Sequence, residues 1–180
     1  IRSYNVWEQG AKYHQYIVKI MEEALPLMGL DQTVVYQPMG RKVAFFACYC
    51  IGNKKFWDGY FDLVNRFISI MPKLSDQVQN MLCGPSNYSR DPNLWYFPFI
   101  QERLFSTHLL LNQQDLKILP YHHNEKQYMS EYGYGLDLKD RAIEQKDINL
   151  LYEWRLYRNT QTDQHIDFCY PWIPYFNKNI

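Results

Sequence analysis

The run Val43-Ala44-Phe45-Phe46-Ala47-Cys48-Tyr49-Cys50-Ile51 carries no charge and nothing more polar than a phenol or a thiol. It is far shorter than the ~20 apolar residues a membrane-spanning helix needs. A short, continuously apolar run between turn formers suits a strand covered on both faces. Pro38 and Gly40 punctuate it on one side and Gly52-Asn53 on the other. Read this way, residues 43–51 form the central strand of a mixed sheet.

Working outward, Thr33-Val34-Val35-Tyr36 is a short β-branched strand, and residues 116–119 form another, ended by Pro120. Helical spacing brackets these strands. Tyr13, Ile17, Ile20, Met21, Ala24 and Leu25 share one face, with Glu22 and Glu23 outside, and Pro26 and Gly29 close that helix. Phe56, Tyr60, Phe61, Val64, Phe67, Ile68 and Met71 mark a second helix, stopped by Pro72. A third runs over 99–111 and a charged one over 147–158. Residues 5–10 read as a turn leading into a helix, 83–93 as a loop of turn formers, and 121–135 as a polar loop over a site. The aromatic tail 168–176 reads as a staple onto the body. The expectation is one α/β domain over 1–180: a mixed sheet of few strands flanked by amphipathic helices.

Composition narrows the function classes. The chain has 180 residues, 47% of them apolar, with 16 Tyr, 10 Phe and 5 Trp. Tyr and Trp carry polar tips that need partners, so the rings serve either as core or as walls for a flat, hydroxyl-rich ligand such as a sugar. Formal net charge is zero, and neither Lys54-Lys55 nor Arg155/Arg158 makes the basic cluster a nucleic-acid binder relies on. Both read as solvated helix faces, so no nucleic-acid partner is expected. The four Cys fit no zinc or disulfide framework and read as reduced, buried thiols. No signal peptide or spanning segment is seen, so the expected location is cytoplasmic. The start at Ile1 rather than Met reads as a piece of a longer protein.

Three constellations carry chemistry. Gln101-Glu102-Arg103 stands at the front of the third helix, where a carboxylate is favoured by the helix dipole and can act as a general base on a sugar hydroxyl. The plain alternative is a Glu102–Arg103 surface pair. His122-His123 follows a strand, and adjacent side chains there point oppositely, so one of the two can ligate a given divalent ion; the alternative is a polar loop pair. Trp7-Glu8-Gln9-Gly10 with His14 offers a stacking ring, an acid, an amide and an imidazole for a sugar, or else Glu8 simply begins a helix. Neither an Asp-x-Asp, for which Asp137/Asp140 and Asp163/Asp167 have the wrong spacing, nor a phosphate-binding glycine loop occurs.

Three segments in order resemble bacterial polysaccharide glycosyltransferases of the GT-A type, in particular a capsule-synthesis group long described as a domain of unknown function. They are Trp7-Glu8-Gln9-Gly10 through Tyr13-His14; Cys48-Tyr49-Cys50-Ile51-Gly52-Asn53 followed by Lys54-Lys55-Phe56-Trp57-Asp58 and Tyr60; and Phe99-Ile100-Gln101-Glu102-Arg103-Leu104-Phe105-Ser106. The resemblance covers about residues 5 to 120. It implies transfer of a sugar from a nucleotide-sugar donor to a glycan acceptor, with this chain as the later, acceptor-side part of a GT-A-like fold. It also implies a Mn or Mg ion held mainly by an Asp-x-Asp upstream of this chain. Glu102 then falls where inverting members place their base, and Trp7, Glu8, Gln9, His14, Asn53, Arg103 and Tyr121 become substrate-binding candidates. The competing expectation is a non-catalytic carbohydrate-binding or protein-interaction module.

Overall fold

The computed structural model describes residues 3–45, 50–86, 94–119 and 125–161, without the side chains of 125, 127, 128 and 131. Among these residues there is no strand. The expected α/β architecture is therefore replaced by a helical one: α1 (Val6–Ala11), α2 (Ile17–Leu27), α3 (Lys54–Ile70), α4 (Asp76–Cys83), α5 (Phe97–Leu111), α6 (Glu125–Gln145) and α7 (Ile148–Thr160).

Each expected strand fails for a local reason. Residues Gln32–Tyr36 wind into a 3-10 turn because Asp31 caps them, its Oδ1 accepting from Thr33 N at 2.8 Å. The described part of 43–51 starts in a turn, with Val43 N and Ala44 N both donating to Gly40 O. Phe45 then exchanges its backbone bonds with a side chain of α5: Phe45 N donates to Ser106 Oγ at 2.8 Å, and that hydroxyl donates to Phe45 O at 3.1 Å. A serine on a neighbouring helix thus takes the place of a ladder partner. Residues 116–119 follow a turn in which Asp115 N and Leu116 N bond to Asn112 O. Residues 46–49 lie outside the described set.

Helix α5 is the axis of the molecule. Every residue from Arg103 to Leu110 is buried, so it is covered on all sides rather than along one stripe. α3 lies against it, with Phe56 and Tyr60 meeting Phe105 and His108 edge to face at ring separations of 5.3 to 6.4 Å. Asn53 starts α3, its Oδ1 accepting from Phe56 N at 3.0 Å. On the other flank α1 and α2 carry Trp7, Ile17, Ile20, Met21, Ala24 and Leu25, all fully buried. Met28 N to Ala24 O and Leu30 N to Leu25 O close α2, with Gly29 at φ +75. α6 and α7 form a helical hairpin whose link is Lys146, at φ 52, and Asp147, which caps α7.

One hydrophobic cluster contains residues of every helix, from Val6 and Trp7 in α1 to Leu151 and Trp154 in α7. α6 replaces the loop expected over 121–135 from residue 125 onward. Arg41 pins it to the preceding segment, donating through Nη2 to Asp137 at 2.7 Å and through Nε to Asp140. Asp137 and Asp140 are therefore occupied with a structural guanidinium. Among the described residues no helix is long and apolar enough to cross a membrane.

Candidate functional site

Two neighbouring clusters of polar side chains flank α1, and they differ sharply in solvent access. The outer one is a cleft of about 150 Å³ lined by Val6, Gln9, Tyr13, His14, Phe45, Phe99, Glu102 and Arg103. It joins four residues that the sequence singled out, Gln9, His14, Glu102 and Arg103, from α1, the turn after it and α5. Residues three to four apart on a helix share a face, which places Phe99 and Arg103 together. α1 lies across them.

Arg103 organises this cleft from behind. Its Nε donates to Val6 O at 3.0 Å, Nη1 to Phe99 O at 2.8 Å and Nη2 to Gln9 Oε1 at 2.8 Å. Glu102 Oε2 lies 3.5 Å from Nη1, at the limit of a useful bond. The guanidinium side chain is 7% exposed and the Glu102 side chain 35%. The carboxylate therefore reaches the mouth while the cation sits in the wall. Glu102 stands in the second turn of α5 rather than its first, because the helix begins at Phe97 with Pro98 beside it. At that depth the partial positive charge of the helix start no longer favours this carboxylate.

His14 is 1% exposed and stacked on Phe99 at 4.0 Å and 29°. Burial, with a smaller contribution from the Arg103 charge, pulls its pKa down to about 4. It is thus a neutral imidazole near pH 7. Tyr13, expected inside a helix, instead stands half-exposed at the rim, because α2 begins only at Ile17.

The inner cluster takes Trp7 and Glu8 away from any ligand. Both are fully buried. Trp7 Nε1 donates to Thr107 Oγ1 at 3.1 Å. Glu8 accepts from Arg158 Nη1 at 2.7 Å and from the backbone N of Tyr4 at 2.5 Å. Arg158, which reads in the sequence as a solvated helix residue, is buried between the rings of Tyr4 and Trp154, its Cζ at 4.5 and 5.2 Å from their centroids. Lys139 is sealed beside them, donating to Ser3 O at 2.8 Å. Burial pulls its pKa down to about 7 against the opposing pull of Glu8 and Asp140.

The remaining candidates divide as follows. Asn53 is committed to capping α3 and stands apart from the cleft, beside an apolar concavity between α3 and residues 115–119. Tyr121, His122 and His123, with the aromatic tail, lie outside the described residues. Among the described residues no three His, Cys, Asp or Glu side chains gather as a metal site would require. Cys83 is exposed and Cys50 half-buried, against the expectation of buried thiols.

No family model, curated protein or solved structure matches this chain.

Proposed function

We propose that the Gln9–His14–Glu102–Arg103 cleft is the acceptor side of a glycosyl-transfer site, with Glu102 as the general base. The observation that carries this reading is the Glu102 carboxylate. It stands at the mouth of an aromatic-walled concavity, and among the described residues its one ionic neighbour, Arg103, is 3.5 Å away. An oxygen held that loosely retains lone pairs for an incoming hydroxyl.

In the proposed step the acceptor oxygen bonds to the anomeric carbon of a nucleotide sugar as the bond to the nucleotide diphosphate breaks. The hydroxyl proton passes to Glu102. Gln9 offers an amide for a neighbouring hydroxyl, and Tyr13, Phe45 and Phe99 supply the apolar wall on which the C–H face of a sugar ring rests. The resemblance of residues 99–106 to a glycosyltransferase helix supports the same residue.

The test is release of nucleoside diphosphate from a panel of nucleotide sugars in the presence of mixed glycan acceptors. Wild-type turnover that falls at least ~100-fold in Glu102→Gln, with the circular-dichroism spectrum unchanged, is expected of a lost general base. Full turnover in that variant removes Glu102 from the mechanism.

A further inference from the structure

The cleft also carries information about which sugar it accepts, and this inference rests on the carbohydrate reading just given. Among the described residues its charged lining side chains are Glu102 and Arg103, and they are not equally presented. The guanidinium is buried against Val6 O, Phe99 O and Gln9 Oε1. The carboxylate is five times more exposed, at 35% against 7%. His14, the other basic side chain in the wall, is buried against Phe99, and with its pKa down at about 4 it adds no positive charge at neutral pH. A ligand entering the mouth thus meets a negative oxygen, an amide and three aromatic rings.

We infer that the cleft takes an uncharged sugar residue and discriminates against sugars bearing a carboxylate or phosphate. Among the described lining residues, a ligand carboxylate would meet the exposed Glu102 oxygens first, with the Arg103 guanidinium set back behind them and turned toward Val6 O, Phe99 O and Gln9 Oε1, and like charges held this close in a half-buried setting repel. The volume of about 150 Å³ suits one pyranose ring rather than an extended segment. Gln9 reads hydroxyls, and Glu102 accepts from them.

The experiment compares matched pairs of methyl glycosides on the full chain by saturation-transfer NMR: glucoside with glucuronide, galactoside with galacturonide, mannoside with mannuronide. At least one neutral member is expected to bind, with its acidic partner weaker by about tenfold or more. In Glu102→Gln that gap is expected to close, and Glu102→Ala serves as a second variant lacking both charge and amide. Binding of an acidic member as tightly as its neutral partner overturns the inference while the carbohydrate reading stands. Silence from every glycoside overturns the carbohydrate reading itself, and the inference with it.

Discussion

Glu8 and Arg158 meet at 2.7 Å across 150 positions of sequence, and neither side chain is more than 4% exposed. The pair ties α1 to α7, and the Arg158 guanidinium sits between the rings of Tyr4 and Trp154. Two charges withdrawn from water gain little from each other in net terms, but breaking one partner strands the other. Arg158→Met is therefore expected to destabilise the fold by about 3–5 kcal/mol, measured by urea denaturation. The double variant with Glu8→Gln is expected to lose less than the sum of the singles, because neither change then leaves an unmatched buried charge. Additive losses would show that the pair is not coupled.

Lys139 beside that pair makes stability depend on alkaline pH. Its folded pKa is about 7, against 10.5 for the free side chain. Between those values the unfolded chain holds a proton that the folded chain has released. Stability then rises with pH across the window from about 7 to 10.5, and the cost of burying the ammonium is fully present below it. The rise is expected to amount to a few kcal/mol at most, on the order set by one pKa unit being about 1.4 kcal/mol. Urea midpoints across that range should climb in the wild type. In Lys139→Met the climb should be flatter, whatever the absolute stability of the variant.

How much of this was legible beforehand depended on the kind of signal. Helices with a clean apolar stripe, such as α3, could be read from spacing because Phe56, Tyr60, Val64 and Phe67 fall on one face. The run 43–51 has no polar residue to set a period, so strand and irregular segment look alike in it. Only the hydroxyl of Ser106, sixty-one positions from Phe45, settles where its backbone bonds go. Residues 125–135 read as loop because Gly133 and Gly135 weaken a helix. Gly135 is instead a packing residue: a Cβ there would lie 2.6 Å from Tyr157 Cε1, so the glycine lets α7 approach α6. In the site, Gln9, His14, Glu102 and Arg103 stood out as reactive groups amid apolar neighbours, and they do converge. Trp7 and Glu8 look equally reactive in sequence. Their burial depends on Thr107 and Arg158, partners that no local window contains.

His14 gives a direct reading of the cleft's polarity. A folded pKa of about 4, against 6.5 for free imidazole, means that acid protonates the unfolded chain first. Stability tied to His14 is present above 6.5 and is lost as pH falls toward 4. In a carbon–proton correlation spectrum its Cε1–H resonance is expected to stay at the neutral position at pH 6 and to move only near 4. A midpoint near 6.5 would place the ring in solvent and remove the neutral wall on which sugar selectivity depends.

Gly10 tests whether α1 is seated on Arg103 as tightly as the structure shows. A Cβ at this position would overlap Arg103 Nε and stand 2.9 Å from Cζ. These atoms are mid-chain and held by Val6 O and Gln9 Oε1, so the guanidinium cannot swing aside without losing those bonds. Alanine is ordinarily the better helix former by up to ~1 kcal/mol. Here steric overlap and lost hydrogen bonds are expected to reverse the sign, making Gly10→Ala destabilising by about 1–3 kcal/mol. Because Arg103 also sets the back wall of the cleft, the variant should weaken sugar binding as well as the fold. Asn53→Ala is the matched control: it removes an N-cap worth about 1 kcal/mol at a position away from the cleft lining, so it should lower the urea midpoint and leave glycoside binding unchanged. A stabilised Gly10→Ala would mean that α1 sits farther from α5 than the hydrogen bonds of Arg103 require.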